Sequence, residues 1–148
     1  APFYADLLTI AIKFKNFDDA EAYIKKIRSS NTKVKFNLFF QEASILSGKG
    51  FLNEALEKYE KVLERISNPE IWFKVGEIKF KLDKFEDAKN AFENAIELEP
   101  DRARYHVSLA QTLIELEEYE EATEYAITAI ELVKHFPAAH FVLGRSLV

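Results

Sequence analysis

The sequence predicts an all-α protein, an α-solenoid of antiparallel helix pairs with about nine helices, and three observations carry that prediction. One short pattern returns four times at a near-constant interval. Between the returns, apolar residues step by three and four. Turn-forming residues fall where the stepping stops.

The returning pattern is a large apolar residue, two polar residues and an alanine: Phe17 Asp18 Asp19 Ala20, Leu52 Asn53 Glu54 Ala55, Phe85 Glu86 Asp87 Ala88 and Tyr119 Glu120 Glu121 Ala122. The alanines are 35, 33 and 34 residues apart. A fixed period of this size marks stacked supersecondary units. Counting back nineteen positions from each alanine sets repeat starts at Ala1, Phe36, Pro69 and Ala103, and one more step reaches Pro137. One domain over 1–148 is expected, with repeats at about 1–35, 36–68, 69–102 and 103–136 and a partial fifth at 137–148.

Each repeat reads as two helices. From Asp83 to Glu99 the apolar residues Phe85, Ala88, Ala91, Phe92, Ala95, Ile96 and Leu98 form one stripe along a helix. Breakers stand at the expected turns: Gly48 and Gly50, Ser67 Asn68 Pro69, Asp83, Pro100 Asp101, and Pro137. The prolines suit the first turn of the helix that follows. A lone hairpin leaves an apolar face that only the next hairpin covers, so stability builds from neighbour to neighbour. Thirteen phenylalanines supply bulk for those interfaces, each contributing about 1.5–3 kcal/mol when fully buried.

Composition narrows the function classes. The chain has 148 residues, 48% of them hydrophobic, and its 20 basic against 25 acidic residues leave a net charge of −5. Residues 1–74 carry 12 basic and 10 acidic side chains, residues 75–148 carry 8 and 15, so the acidity is concentrated in the second half. Such a field repels phosphate backbones, and no nucleic-acid partner is expected. The apolar run Leu7 Leu8 Thr9 Ile10 Ala11 Ile12 ends at Lys13, well short of the roughly 18 residues of a membrane span. With no cysteine there are no disulfides or thiolate metal sites. Cytoplasmic localisation is the expectation. A start at Ala1 and an end inside an apolar pattern at Val148 suggest a piece of a longer chain.

Two further positions carry the repeat. Position 4 holds Tyr4, Phe39, Trp72, His106 and His140, and position 8 holds Leu8, Ala43, Gly76, Ala110 and Gly144, small in all but the first. The third repeat runs from Trp72 through Val75 Gly76, Phe85, Ala88, Phe92 and Ala95 to Pro100, with Lys79 where a tyrosine is usual. In these positions the whole chain resembles the tetratricopeptide-repeat family. The resemblance implies a right-handed superhelix of four full repeats plus one extra helix, in which the first helix of each repeat lines a concave groove. It also implies which residues look into that groove. Position 5 carries Ala5, Phe40, Phe73, Val107 and Phe141; position 9 carries Thr9, Ser44, Glu77, Gln111 and Arg145; position 12 carries Ile12, Ser47, Phe80 and Ile114. The expected partner-binding residues are therefore Phe40, Ser44, Phe73, Glu77, Phe80, Val107, Gln111, Ile114, Phe141 and Arg145. An apolar strip of this kind marks a protein-binding surface, although each ring has a second reading as core. The expected function is a scaffold that captures an apolar or amphipathic segment of another protein.

Some family members hold the terminal carboxylate of heat-shock chaperones in a cage of lysine, asparagine and arginine, because a carboxylate needs fixed cationic and amide donors. The matching positions here are Ala5, Thr9, Gln41, Glu70 and Lys74, which do not make that cage. The acidic run from Glu115 to Glu121 reads as a solvated rim, with a docking patch for a basic partner as the alternative. Lys79, Lys81 and Lys84 are neutralised by Glu77, Asp83, Glu86 and Asp87.

No enzyme is expected. His106, His135 and His140 form no ligand pair at helical spacing, and the chain has no glycine-rich phosphate loop, cysteine nucleophile or acyl-transfer elbow. No catalytic residues, cofactor or metal are assigned. Two other readings stand beside the scaffold. In one, the helix from Pro137, with Phe141, Leu143, Gly144, Leu147 and Val148, mediates self-association into a homo-oligomer. In the other, the chain is a regulatory or recruiting module of a larger enzyme.

Overall fold

The computed structural model describes residues 2–30 and 35–148, with the side chains of 4–29 and 38–148. The first expected repeat start, Ala1, lies outside the described residues. Among them all regular structure is helical: α1 (Pro2–Lys13), α2 (Phe17–Ser30), α3 (Lys35–Gly48), α4 (Leu52–Leu63), α5 (Pro69–Lys81), α6 (Phe85–Leu98), α7 (Ala103–Glu115), α8 (Tyr119–Leu132) and α9 (Pro137–Ser146). The chain forms two compact units, Ala1–Ile66 and Ser67–Val148.

One turn builds every hairpin. Lys15, Gly50, Asp83 and Glu117 occupy the same repeat position and all have left-handed backbone, with φ of 58°, 91°, 60° and 62°. The next residue returns its N–H five positions back: Asn16 to Ala11 at 2.8 Å, Phe51 to Leu46 at 2.8 Å, Lys84 to Lys79 at 2.9 Å and Glu118 to Leu113 at 2.8 Å. Together with the bonds from Lys15 to Ile12, Gly50 to Ser47, Asp83 to Phe80 and Glu117 to Ile114, these are four Schellman caps that satisfy the orphan carbonyls of the first helix. Only one of the four uses glycine, so the other three carry the strain of a Cβ in that region.

In the second unit the chain enters α5 through Asn68, whose side chain accepts from the Glu70 N–H at 2.8 Å, followed by Pro69 at the first helical position. Pro137 likewise stands in the first turn of α9, there without a side-chain cap. The core runs from Phe73 and Phe92 through Tyr105, Leu109 and Leu113 to Ala139 and Val142. In the first unit Leu8, Ala11, Ile24, Ile27, Leu38 and Ile45 form the equivalent cluster.

The signature alanines explain themselves in this packing. Ala20, Ala55, Ala88 and Ala122 are all fully buried, where the two helices of a hairpin cross. Position 8 is close-packed at Ala43, Gly76 and Ala110. A Cβ on Gly76 would lie 2.6 Å from the Phe92 ring. Gly144 departs from the expectation of a close crossing: it is exposed, and a Cβ there meets nothing within 4 Å. Gly48 is likewise not a breaker but the last residue of α3, where a Cβ would run into the Phe17 ring.

Candidate functional site

Position 5 shows how the stack distributes its rings. Phe73 is 3% exposed, with its ring centroid 4.9 Å from Tyr105 of the next repeat and 5.6 Å from Phe92 of its own. Val107 is buried in the same core. Phe141, at the equivalent position on α9, is 65% exposed, because among the described residues no later helix packs against it. Position 12 divides similarly. Ile114 is buried, while Phe80 is half-buried with its ring edge-on to Phe85 at 5.2 Å.

The polar candidates are mostly engaged. Glu77 faces Lys74 at 3.4 Å, and Arg145 reaches Glu115 at 3.7 Å. Gln111 is half-buried. In the first unit, Ser44 and the buried Tyr59 share a hydroxyl bond of 3.0 Å, and Phe40 stands edge-on to the same tyrosine at 5.7 Å. Three of the ten expected groove residues, Phe73, Val107 and Ile114, thus sit in the core, and Phe141 and Arg145 are the two that are exposed.

A link between repeats escaped the sequence reading. Arg104 donates to both oxygens of Glu70, at 2.6 and 2.7 Å, and lies 4.7 Å from the Phe73 ring centroid. The Tyr105 hydroxyl adds a bond to Glu70 at 3.2 Å. Burial alone would raise the Glu70 carboxyl, but the Arg104 bond, the Arg104 and Lys74 charges and the Tyr105 bond outweigh it and hold the group below its ordinary value. Tyr105 moves up, through burial and then the Glu70 charge. The available signal was an opposite-charge pair at one repeat position, 34 residues apart.

The histidines serve the connections. His106 Nε2 meets the Pro100 carbonyl at 2.7 Å, and His140 Nε2 meets that of Lys134 at 3.2 Å. A carbonyl only accepts, so in each ring this nitrogen carries the proton. No group of three or more His, Cys, Asp or Glu side chains that could hold a metal occurs among the described residues.

Two hollows remain. In the first unit one of about 250 Å³ has a floor of Ile24, Ile45 and Leu46. Its rim is closed by Glu42, which takes both Arg28 and Lys58. In the second unit one of about 690 Å³ is lined by Ile114, Tyr119, Arg145, Ser146, Leu147 and Val148. Tyr119 and Leu147 are 45% and 68% exposed. The sequence places Ile114 and Arg145 in the expected groove and Leu147 on the expected self-association face, but Tyr119 on neither. Their partners come from the α7–α8 turn and the end of α9, which no helical spacing connects.

Repeated helical hairpins closed by a uniform cap define an α-helical repeat protein. A model of the tetratricopeptide repeat matches residues 76–131. Over those residues the chain is similar to the tetratricopeptide-repeat family. The Hsp70-Hsp90 organising protein of Plasmodium falciparum (isolate 3D7) is 33% identical over 90 residues, 61% of this chain, and the match spans 16% of that protein's length. The crystal structure of the APC/C hetero-tetramer Cut9–Hcn1 is similar with a TM-score of 0.87 at 16% identity, over 98% of this chain and 29% of that one. MamA 41-end from Desulfovibrio magneticus RS-1 gives 0.83 at 20% identity, over 98% and 82%. The first tetratricopeptide domain of Spaghetti (RPAP3), bound to an HSP90 peptide, gives 0.73 at 20% identity, over 76% and 90%. At these identities the solved structures establish the fold, an all-α helical solenoid. No helix among the described residues is long and apolar enough to cross a membrane.

Proposed function

We propose that this chain is a non-catalytic protein-interaction scaffold that captures an apolar or amphipathic segment of a partner on the α7–α9 side of its second unit. The observation that carries the reading is the open hollow of about 690 Å³ beside the exposed Phe141 ring. Exposed rings and concave apolar surface are unfavourable in water and gain most when another chain covers them. Phe141 and Arg145 are one helical turn apart on α9, so a single bound segment can touch both.

What the relatives bind supports a protein partner of some kind, and one of them holds an HSP90 peptide. The side chains here favour apolar capture over a carboxylate cage. Glu70 is committed to Arg104 and Tyr105, and Lys74 to Glu77. In the first unit, Thr9 turns its hydroxyl back onto the Ala5 carbonyl at 3.0 Å. Domain organisation follows the same reading, with the hairpins acting as one binding module.

The test is hydrogen exchange with an uncharged amphipathic peptide as probe. Protection is expected along α7 and α9 and is expected to weaken in Phe141→Ala, a surface change that leaves the core intact. Exchange in α7 and α9 that is indifferent to the peptide would refute the reading.

A further inference from the structure

We infer that the hollow of the first unit is a further docking site, built for an acidic segment of a partner protein: one large apolar side chain rests on its floor, and carboxylates flanking that side chain meet Lys25, Arg28 and Lys58. The site is separate from the capture surface on α7–α9 and does not depend on it.

Comparison between the repeats shows that this hollow is a departure. It lies where the second helix of one hairpin, α2, meets both helices of the next, α3 and α4. Counted from the signature alanines, Arg28, Glu42 and Lys58 hold the positions that Ile96, Leu109 and Tyr125 hold in the second unit. There all three belong to the packing: Leu109 is fully buried, and Ile96 and Tyr125 lie against the same core. At the following junction the first two positions are Ile130 and Leu143, again packed on that core. The first unit thus puts three charges where the second closes its helices with apolar side chains. A hollow of about 250 Å³ opens there over Ile24, Ile45 and Leu46. An ion triad between helices stabilises a stack no more, and often less, than well-packed apolar residues of similar volume. Local choices that work against the fold mark places kept for function.

Cations are in excess around the hollow. Lys25, Arg28 and Lys58 line it, against Glu21 and Glu42. Both carboxylates are already answered. Lys49 donates to Glu21 at 2.8 Å, and the two oxygens of Glu42 accept one bond from Arg28 and one from Lys58, the latter at 2.9 Å. A guanidinium carries five N–H donors and an ammonium three. Among the described residues Arg28 and Lys58 each give one bond to Glu42, so each has donors for a second acceptor. Lys25 is exposed and pairs with no carboxylate among the described residues. The first unit as a whole holds 11 basic and 9 acidic residues, a field of the same sign. The volume, just below the roughly 300–1,000 Å³ of sites that enclose a whole small ligand, suits one side chain of a longer segment.

Two probe peptides test the site on the full chain: one with a central leucine flanked by glutamates, and its counterpart with lysines in the glutamate positions. Calorimetry gives the affinities and hydrogen exchange locates the contact. The glutamate peptide is expected to bind, more weakly as salt rises, and to protect α2 and α3. The lysine peptide is expected to leave α2 and α3 unprotected. Lys25→Glu breaks none of the ion pairs and should weaken the glutamate peptide about fivefold or more. Arg28→Ile with Glu42→Leu and Lys58→Tyr fills the hollow as the second unit does; this chain should melt no lower than the native one and lose the peptide. Equal protection of α2 and α3 by both peptides overturns the charge selection, and protection confined to α7 and α9 overturns the site while leaving the scaffold reading in place. A filled chain that melts lower, together with an affinity that Lys25→Glu does not change, overturns the inference as well. Should sedimentation show the native chain self-associating through a contact that Lys25→Glu abolishes, the hollow belongs to a second copy and the inference fails.

Discussion

Arg104 places one guanidinium nitrogen, Nη2, between the two carboxylate oxygens of Glu70, one repeat away. The plane of the same group covers the Phe73 ring, so a single side chain joins two hairpins by charge and by stacking. Both partners are partly exposed, and water screens the pair, so its contribution is about 0.2–1 kcal/mol.

Glu70→Gln is therefore expected to lower stability by no more than about 1 kcal/mol at neutral pH. The sign of its pH dependence follows from the depressed carboxyl. The contribution is complete above the ordinary carboxylate value of about 4 and is lost as pH falls through the lower folded value. Urea unfolding of native and variant chains should differ near neutrality and converge in acid.

Phe73 and Phe141 share a repeat position and differ in cover. Phe73→Ala empties a packed core and should cost about 3–5 kcal/mol. Phe141→Ala alters an exposed ring and should stay within about 0.5 kcal/mol. Thermal and denaturant unfolding measure both, and similar costs would contradict the burial of Phe73.

The two position-8 glycines should respond in opposite directions. Gly76→Ala drives a methyl into the Phe92 ring and is expected to destabilise by about 1–3 kcal/mol. Gly144→Ala meets open space on a helix and should stabilise by about 0.5–1 kcal/mol through helix propensity. Melting temperatures of the two variants check the pair together.

The shared turn offers a backbone test. At Gly50 a Cβ meets nothing within 4 Å, so the cost of Gly50→Ala, about 1 kcal/mol, is purely conformational. Lys15→Gly relieves the same strain at the equivalent turn and should gain up to about 1 kcal/mol. Opposite shifts in urea midpoint are expected.

Much of the fold was legible because it depends on near neighbours. The spacing of Ala20, Ala55, Ala88 and Ala122 indicated the hairpins, and Asn68 Pro69 and Pro137 indicated helix starts. Lys15 and Glu117 carry no turn chemistry of their own. Their left-handed backbone came to light only in the structure. The site was less legible. Position 5 looked uniform along the chain, yet Phe73 and Val107 face neighbouring helices and Phe141 does not.

By itself, then, the sequence determined the all-α hairpin repeat, its period, the turns at Gly50 and Asp83 and the small-residue crossings at Ala43, Gly76 and Ala110. These are properties of stretches within one helix pair, where covalent spacing sets which side chains meet. The tertiary structure alone decided which rings are core, that Arg104 reaches Glu70, and that Tyr119 and Leu147 border one hollow. Burial and ion pairing depend on what packs against a side chain from another hairpin, and a repeat pattern is the same whether or not that neighbour is present.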